Sequence, residues 1–201
     1  MNALAMAQDG VFGEIIRAEG AYIHGLEWFW DYYWKDPNDN DKDNLHWRMK
    51  YNMENRGDVY ATHGLGPVAQ CLNIHRGDKL DYLVSMSTKS INGAKLTKEI
   101  MGEDECKQGD QINTLIRTHN GCTIDMQHNV MTPRPYSRMY QLVGTEGYAN
   151  KYPVAGYTFK LDHLQSVATD ENGLPDIEAL DHHSFAPQSV VAEMMELYKH
   201  P

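Results

Sequence analysis

The sequence predicts an α+β domain built around an antiparallel β-sheet. Two runs of alternating apolar residues, 111–118 and 123–130, flank Asn120-Gly121, a dipeptide that favours a type I′ hairpin turn. A third alternating run, 137–143, follows a proline-containing segment. Consecutive antiparallel strands indicate a meander and argue against a doubly wound parallel sheet.

Polar side chains alternate with the apolar ones along these runs, so one face of the sheet is hydrated, lines a site or meets a partner. These positions include Asn113, Arg117, Asp125 and Gln127. Two further strands are predicted at 14–23 and at 78–87, and the second places Leu80, Tyr82, Val84 and Met86 on one side.

A helix is predicted at 65–75, because Leu65, Val68 and Leu72 recur at helical spacing and Pro67 fits a first helical turn. Tyr60 and His63 then lie at the helix N-terminus, where the helix dipole disfavours an imidazolium and favours bound anions. A neutral histidine there can act as a base. The alternative is that His63 only caps or packs.

Shorter helices are expected at 1–8, closed by Gly10, at 92–101 as a helix or irregular excursion, and at 187–198. The aromatic cluster at 26–34 could stack on sugar rings or fill the interior. Gly-rich dinucleotide and phosphate-binding motifs are absent, and no complete catalytic set is defined by spacing.

The 201 residues, with net charge -10 and pI of about 5.4, suit one domain or a small pair. We expect no nucleic-acid partner, because no basic run is interleaved with aromatics. The chain also lacks an apolar run long enough to span a membrane.

We expect no metal site. The three scattered cysteines, Cys71, Cys106 and Cys122, fit neither a disulfide framework nor structural zinc, and Cys71 should pack in the core. The acidic segment 36–44 resembles a calcium loop, but Asn44 and Lys50 replace its glycine and closing glutamate, so we interpret it as a solvated loop. We interpret His182-His183 as two loop histidines, because no third metal ligand lies at helical spacing from them.

Three segments carry a family resemblance: 10–24 (GVFGEIIRAEGAYIH), 60–67 (YATHGLGP) and 132–138 (TPRPYSR). Together they resemble the C-terminal substrate domain of Gfo/Idh/MocA-type oxidoreductases. The closest branch is glycoside hydrolase family 109, the NAD-dependent α-N-acetylgalactosaminidase-like proteins. The resemblance covers residue 1 to about 153 and weakens beyond it.

That resemblance implies an open, mainly antiparallel sheet with helices packed on one face. Residues 1–9 would end an inter-domain helix, and 10–201 would form the substrate-binding and oligomerisation domain, incomplete at both ends. The dinucleotide-binding domain would then be missing, and the fragment alone would be inactive. Sequence leaves the compartment open between bacterial cytoplasm and periplasm.

The resemblance also assigns roles residue by residue. Tyr22, Arg48 and Tyr136 match substrate contacts, and the Tyr-x-Thr-His segment matches Tyr60, Ala61, Thr62 and His63. In that segment the tyrosine reaches both nicotinamide and sugar, and the histidine is a catalytic candidate. Ala61 replaces a common proline, and Gly25 stands where an aspartate often follows the histidine.

The implied activity is glycoside hydrolysis by transient oxidation and elimination, with NAD bound mainly by the missing domain and recycled each turnover. Two alternatives stay open. One is a sugar or inositol dehydrogenase with net redox change. The other is a non-catalytic binding or assembly module. We also expect a carbohydrate ligand and a homo-oligomer formed through the open sheet face.

Overall fold

A computed structural model of the chain describes residues 2–26, 47–102, 106–153, 155–160 and 196–198. The strands are β1 Ile15–Ile23, β2 Leu80–Ser87, β3 Ile112–Thr118, β4 Thr123–Asn129, β5 Gln141–Gly144, β6 Gly147–Asn150 and β7 Gly156–Phe159. The helices are α1 Asn2–Gln8, α2 Trp47–Glu54, α3 Thr62–Cys71 and α4 Asn92–Met101.

The seven strands form one mixed sheet in the order β2-β3-β4-β1-β5-β6-β7. Five of the six strand pairings are antiparallel, which confirms the α+β class with a mainly antiparallel sheet. The simple meander is wrong at one point, because β1 lies between β4 and β5 and runs parallel to β4. That parallel pairing sets Tyr22 beside His128.

The hairpin between β3 and β4 forms at the predicted place with a different turn. A type I′ turn needs positive φ at both central residues, but only Gly121 of the pair has one, at 101°. The Gly121 N–H donates to the Thr118 carbonyl, and the Thr118 N–H donates to the Cys122 carbonyl. The connection is therefore a three-residue loop that ends in a left-handed glycine.

The third predicted run is shorter than expected, because β5 begins only at Gln141. Met139 and Tyr140 both have φ of 56°, a left-handed conformation that interrupts an extended chain. Before this break, Ser137 exchanges backbone hydrogen bonds with Ile23 at the end of β1. The segment that carries Tyr136 is thereby fixed beside Tyr22.

Helix α3 starts at Thr62, three residues earlier than predicted, and ends at Cys71. Pro67 therefore lies inside the helix, and its placement in the first turn is wrong. A proline has no N–H to give to the carbonyl four residues before it, so the carbonyl of His63 receives no helical hydrogen bond from Pro67. His63 itself belongs to the first turn.

Helices α1 and α3 pack on one face of the sheet, over a core that includes Met6, Ala18, Val68, Ile124 and Leu142. The predicted first helix ends as expected, since Gly10 takes a left-handed φ of 74°. Cys71 is buried in this core, and all three cysteines are free thiols.

The opposite sheet face is polar at its centre and apolar at one edge. Arg17 pairs with Asp125 and Glu19 and donates to Gln141. Toward the edge strand β2, Tyr82, Val84, Met86 and Leu115 are between 50% and 69% exposed. Their register places them on the face that carries Asp125, which we name the open face.

Several sequence expectations lie outside the described residues: the aromatic run 27–34, the acidic loop 36–44, His182-His183 and most of the helix 187–198. Within the described part, no helix is long and apolar enough to span a bilayer. The same residues include no group of three or more histidine, cysteine or acidic side chains placed to hold a metal ion.

Two glycines set the distance between α3 and β1. A Cβ on Gly20 would stand 2.4 Å from the carbonyl oxygen of Gly64, and a Cβ on Gly64 would stand 2.6 Å from the amide nitrogen of Ala21. These contacts are backbone, so a methyl group fits only if the helix moves away from the strand. The close approach therefore requires glycine at both positions.

We expect Gly20→Ala and Gly64→Ala each to lower the free energy of unfolding by roughly 1–3 kcal/mol, as overpacking usually does. Gly66→Ala is the matched control, because it lies in the same helix with no atom within 4 Å of its added Cβ. It should be neutral or stabilise by about 0.5–1 kcal/mol. Urea unfolding of the chain measures all three, and equal effects at Gly64 and Gly66 would contradict the packing argument.

Candidate functional site

Three aromatic side chains meet where the end of β1 passes under the first turn of α3. The ring centroids of Tyr60 and His63 are 4.4 Å apart, those of Tyr22 and Tyr60 are 4.7 Å apart, and those of Tyr22 and His63 are 5.0 Å apart. Tyr22 is 7% exposed, whereas Tyr60 and His63 are partly exposed. The phenol and imidazole predicted at the helix entrance are thus in direct contact.

Local sequence explains why these rings converge. Alternation along β1 puts Ala18, Gly20 and Tyr22 on the helix-covered face, and the glycine contact seats α3 directly above them. Asp58 then fixes the approach to the helix, since its Oδ1 accepts a 2.8 Å hydrogen bond from the Tyr60 N–H. Burial raises the pKa of the Asp58 carboxyl.

The other predicted site residues surround this centre. The Arg48 guanidinium of α2 lies 4.6 Å from the Tyr60 ring centroid. The Tyr136 ring lies 5.2 Å from His24. Ala61 is the N-cap of α3 and makes no side-chain capping hydrogen bond, and Thr62 is exposed. Tyr22, Arg48, Tyr60, His63 and Tyr136 therefore form one cluster, with Ala61 and Thr62 on its rim.

Three neighbouring side chains escaped the sequence reasoning. His24 accepts or donates a 3.4 Å hydrogen bond with the Tyr22 hydroxyl. Arg138 lies 5.6 Å from both the Tyr22 and Tyr136 ring centroids and donates its Nε–H to the Tyr136 hydroxyl. The His128 ring stacks on Tyr22 at 6.0 Å and is 2% exposed.

Signals for two of these residues were present in the sequence. His24 closes the 10–24 motif two residues after Tyr22, and Arg138 closes the 132–138 motif. His128 lies within the predicted strand 123–130, but its contact with Tyr22 depends on the parallel pairing of β1 with β4. Sequence periodicity does not reveal which distant strands become neighbours.

The site keeps its histidines neutral. Burial lowers the pKa of His63 and of His24, and the positive charges of Arg138 and Arg48 lower both further. Deeper burial, with help from Arg48, lowers the pKa of His128 to about 4. The sequence led us to expect a neutral His63 because of the helix dipole, but burial and two arginines are the causes found here.

The ring cluster separates two cavities. Tyr22, Arg48, Tyr60 and His128 line a small one of about 20 Å³, room for a single water molecule. His63, Tyr136 and Arg138 line a groove of about 670 Å³ between α1, α3 and residues 136–152 and 155–157. The groove is in the size range of small-molecule pockets, and His63 is the ring of the central trio that faces it.

These groups supply a neutral base, phenol hydroxyls and guanidinium donors, without a metal-ligand cluster among the described residues. A neutral imidazole can accept a proton from a ligand in the groove. The tyrosines offer flat apolar faces together with hydrogen-bonding hydroxyls, which suits sugars and flat heteroaromatic rings. The site is therefore equipped for proton transfer on a polar organic ligand.

Comparison with known proteins gives the family. The profile of "Glycosyl hydrolase 109, C-terminal domain" matches residues 1–201. "Glycosyl hydrolase family 109 protein 3" of Phocaeicola vulgatus is 55% identical over 203 residues, covering 100% of this chain and 36% of that protein. "Glycosyl hydrolase family 109 protein 1" of Bacteroides fragilis is 52% identical, covering 100% of this chain and 40% of that protein. The chain thus spans well under half the length of these relatives.

Two solved structures share the fold at low identity. An inositol dehydrogenase homolog of Azotobacter vinelandii, complexed with NAD+, aligns with a TM-score of 0.50 and 14% identity over 80% of this chain and 35% of its own. An NAD-binding oxidoreductase of Klebsiella pneumoniae aligns with a TM-score of 0.50 and 17% identity over 74% of this chain and 35% of its own. The fold is that of the oxidoreductase group that the sequence resembles, and the chain belongs to the glycosyl hydrolase 109 C-terminal domain family.

Proposed function

We propose that this chain is the substrate-binding domain of an NAD-dependent glycoside hydrolase that works by transient oxidation and elimination. One observation carries the proposal: a neutral His63 touches Tyr60 and Tyr22 at the edge of a groove large enough for a sugar. The family membership and the NAD-containing structural relative support it.

His63 is assigned the role of base. Once a sugar hydroxyl is oxidised to a ketone, the adjacent C–H becomes acidic enough for an imidazole to remove its proton. A base works best when its pKa lies near the working pH, where it is unprotonated and still strong enough to take a proton. The lowered pKa of His63 keeps the imidazole in its proton-accepting form at neutral pH.

The neighbouring residues bind and orient. Tyr60 contacts His63 and can donate or relay a proton through its hydroxyl. Tyr22 supports both rings from below, and Tyr136 supplies a hydroxyl on the far side of His24. Arg48 packs over the Tyr60 ring and lines the small cavity, so the hydrogen bond to sugar oxygens assigned to it requires a ligand that reaches past that ring.

The residues present fit a nicotinamide ring, since the partly exposed Tyr60 ring lies next to His63, a proton acceptor. Tyr60 would hold that ring from the substrate side, with the rest of the cofactor bound by another part of the full-length protein. When bound, the cofactor supplies hydride transfer. The residues of this domain are assigned positioning and proton movement.

The same site could serve a sugar or inositol dehydrogenase. The fold shared with the inositol dehydrogenase homolog supports this alternative. Product analysis of the full-length protein separates the two. Glycoside cleavage without net NADH supports the hydrolase, and NADH accumulation with a free sugar supports the dehydrogenase. A non-catalytic assembly module would show neither.

We expect His63→Gln to lower the turnover of the full-length enzyme by roughly 100-fold or more, the usual contribution of a general base. The measurement is release of p-nitrophenol from a panel of p-nitrophenyl glycosides. His119→Gln is the matched control, because His119 is exposed at the hairpin turn beside β3. If His63→Gln turns over as fast as the wild type, His63 is not the base.

The pH dependence follows from the sign of the His63 shift. Protonation removes the base, so kcat/KM should fall as the pH drops through the pKa of His63, which lies below its ordinary 6.5. Near and above pH 7 His63 is already neutral, so its ionisation should no longer change kcat/KM. A pH–rate profile of the wild type should show that acid limb, and the same limb in His63→Gln would assign it to another group.

We also propose that the open face forms a homo-oligomer. Tyr82, Val84, Met86 and Leu115 are exposed together at its edge, and exposed apolar patches of this kind often mark interfaces. A second copy could cover them and also the unpaired edge of β2.

Val84→Asp should therefore shift the assembly toward monomer in light scattering coupled to size-exclusion chromatography. Leu83→Asp is the matched control: Leu83 is 57% exposed against 61% for Val84, and it points to the other face of the same strand. The proposal fails if the wild type is monomeric, or if both variants dissociate equally.

A further inference from the structure

The groove beside His63 has an unusual charge for this molecule. The chain carries a net charge of -10. Among the described residues that line the groove, Arg138 and Lys151 are cations and none is an aspartate or glutamate. A cleft lined by one sign of charge concentrates ligands of the opposite sign.

The two cations belong to one continuous wall. The Arg138 guanidinium lies 5.6 Å from the Tyr136 ring, the Tyr136 and Tyr152 rings are 6.0 Å apart, and the Lys151 ammonium lies 5.4 Å from the Tyr152 ring. Cation–π contacts of this kind orient a cation without neutralising it. We name these four residues the basic wall.

Among the described residues, neither cation of the basic wall forms an ion pair with a carboxylate. Within the part of the chain that the structure covers, the ion pairs found involve Arg17, Lys95 and Lys160, all elsewhere. Arg138 donates its Nε–H to the Tyr136 hydroxyl, and its two terminal nitrogens remain as potential donors to a ligand. A guanidinium presented this way matches the paired oxygens of a phosphate or carboxylate.

The effect of this charge already reaches His63. The positive charge of Arg138 is one cause of the lowered His63 pKa. An anion that binds beside Arg138 offsets this charge and must raise that pKa. By reciprocity, protonation of His63 must strengthen the binding of the anion. Anion binding and the protonation of His63 are therefore coupled through one side chain.

We propose that the basic wall binds an anionic group, a phosphate or a carboxylate, carried by the ligand that reaches His63. The inference rests on the proposed function only in taking the groove as the ligand site. It adds the charge class of that ligand. The anion could belong to the substrate or to the diphosphate of a dinucleotide, and the two sources share the same recognition chemistry.

The test is an NMR titration of the chain with sodium phosphate at constant ionic strength, with sodium chloride as the balancing salt. We expect saturable shifts of the His63 ring protons and a rise in the His63 pKa. Arg138→Met should weaken phosphate binding roughly tenfold or more, as expected for a lost charge-assisted hydrogen bond. Lys151→Met, at an exposed position, should weaken it less without disturbing the fold.

Arg117→Met is the matched control, because Arg117 is exposed on the open face and lies away from the groove. Its phosphate affinity should equal that of the wild type. Absence of saturable binding, or equal binding by wild type, Arg138→Met and Lys151→Met, would overturn the proposal. These readouts do not require activity, so they fail or succeed independently of the hydrolase assignment.

Competition identifies the source of the anion. Glucose 1-phosphate, methyl glucoside and NAD+ are each added to the phosphate-bound chain. Stronger displacement by glucose 1-phosphate than by NAD+ assigns the wall to a charged substrate, and the reverse order assigns it to the cofactor. Displacement by methyl glucoside to the same extent as by glucose 1-phosphate would contradict an anion site.

Discussion

The backbone contact between Gly20 and Gly64 is the constraint on which the site depends. It lets the first turn of α3 lie directly on β1, with no side chain between helix and strand. Tyr22 follows two positions after Gly20, and His63 directly precedes Gly64, so the contact that packs the domain also sets the spacing of the rings. The same backbone contact therefore determines both the stability of the domain and the geometry of the site.

Around that contact the protein maintains an electropositive, partly dry environment within an acidic chain. Burial and two guanidiniums hold the imidazoles in their neutral form, and the arginines are held by aromatic faces. Aromatic faces orient a guanidinium while leaving its charge available. The arrangement allows a histidine to accept protons close to groups that attract negative charge.

Much of the local structure was accessible from sequence. Periodicity placed β1, β2, β3 and β4 within one or two residues, because strand alternation is a local property. The predicted boundaries failed where conformation was decided by context: Pro67 inside α3, the left-handed Met139 and Tyr140, and the turn at Asn120. Neighbouring packing determines such exceptions, and propensity does not report it.

The candidate site shows the same division. Tyr60 and His63 were singled out by their place at the helix entrance, and the family resemblance added Tyr22, Arg48 and Tyr136. The structure brings all five into one cluster, and their roles stay predictions. His128 was missed as a neighbour of Tyr22 because a parallel pairing between segments about a hundred residues apart leaves no local pattern. Arg138 was quoted in a motif, yet its position between two tyrosine rings required coordinates.

The central position of β1 has a consequence for how the domain is made. The first strand in the sequence finds its neighbours only in β4 and β5, so it must wait for most of the sheet to be synthesised before it can pair. Closing the long loop between β1 and β4 costs conformational entropy before the strands form any stabilising contact, and this slows folding. During translation β1 therefore stays unpaired until β4 has been made, and the Tyr22 side of the site is assembled only then.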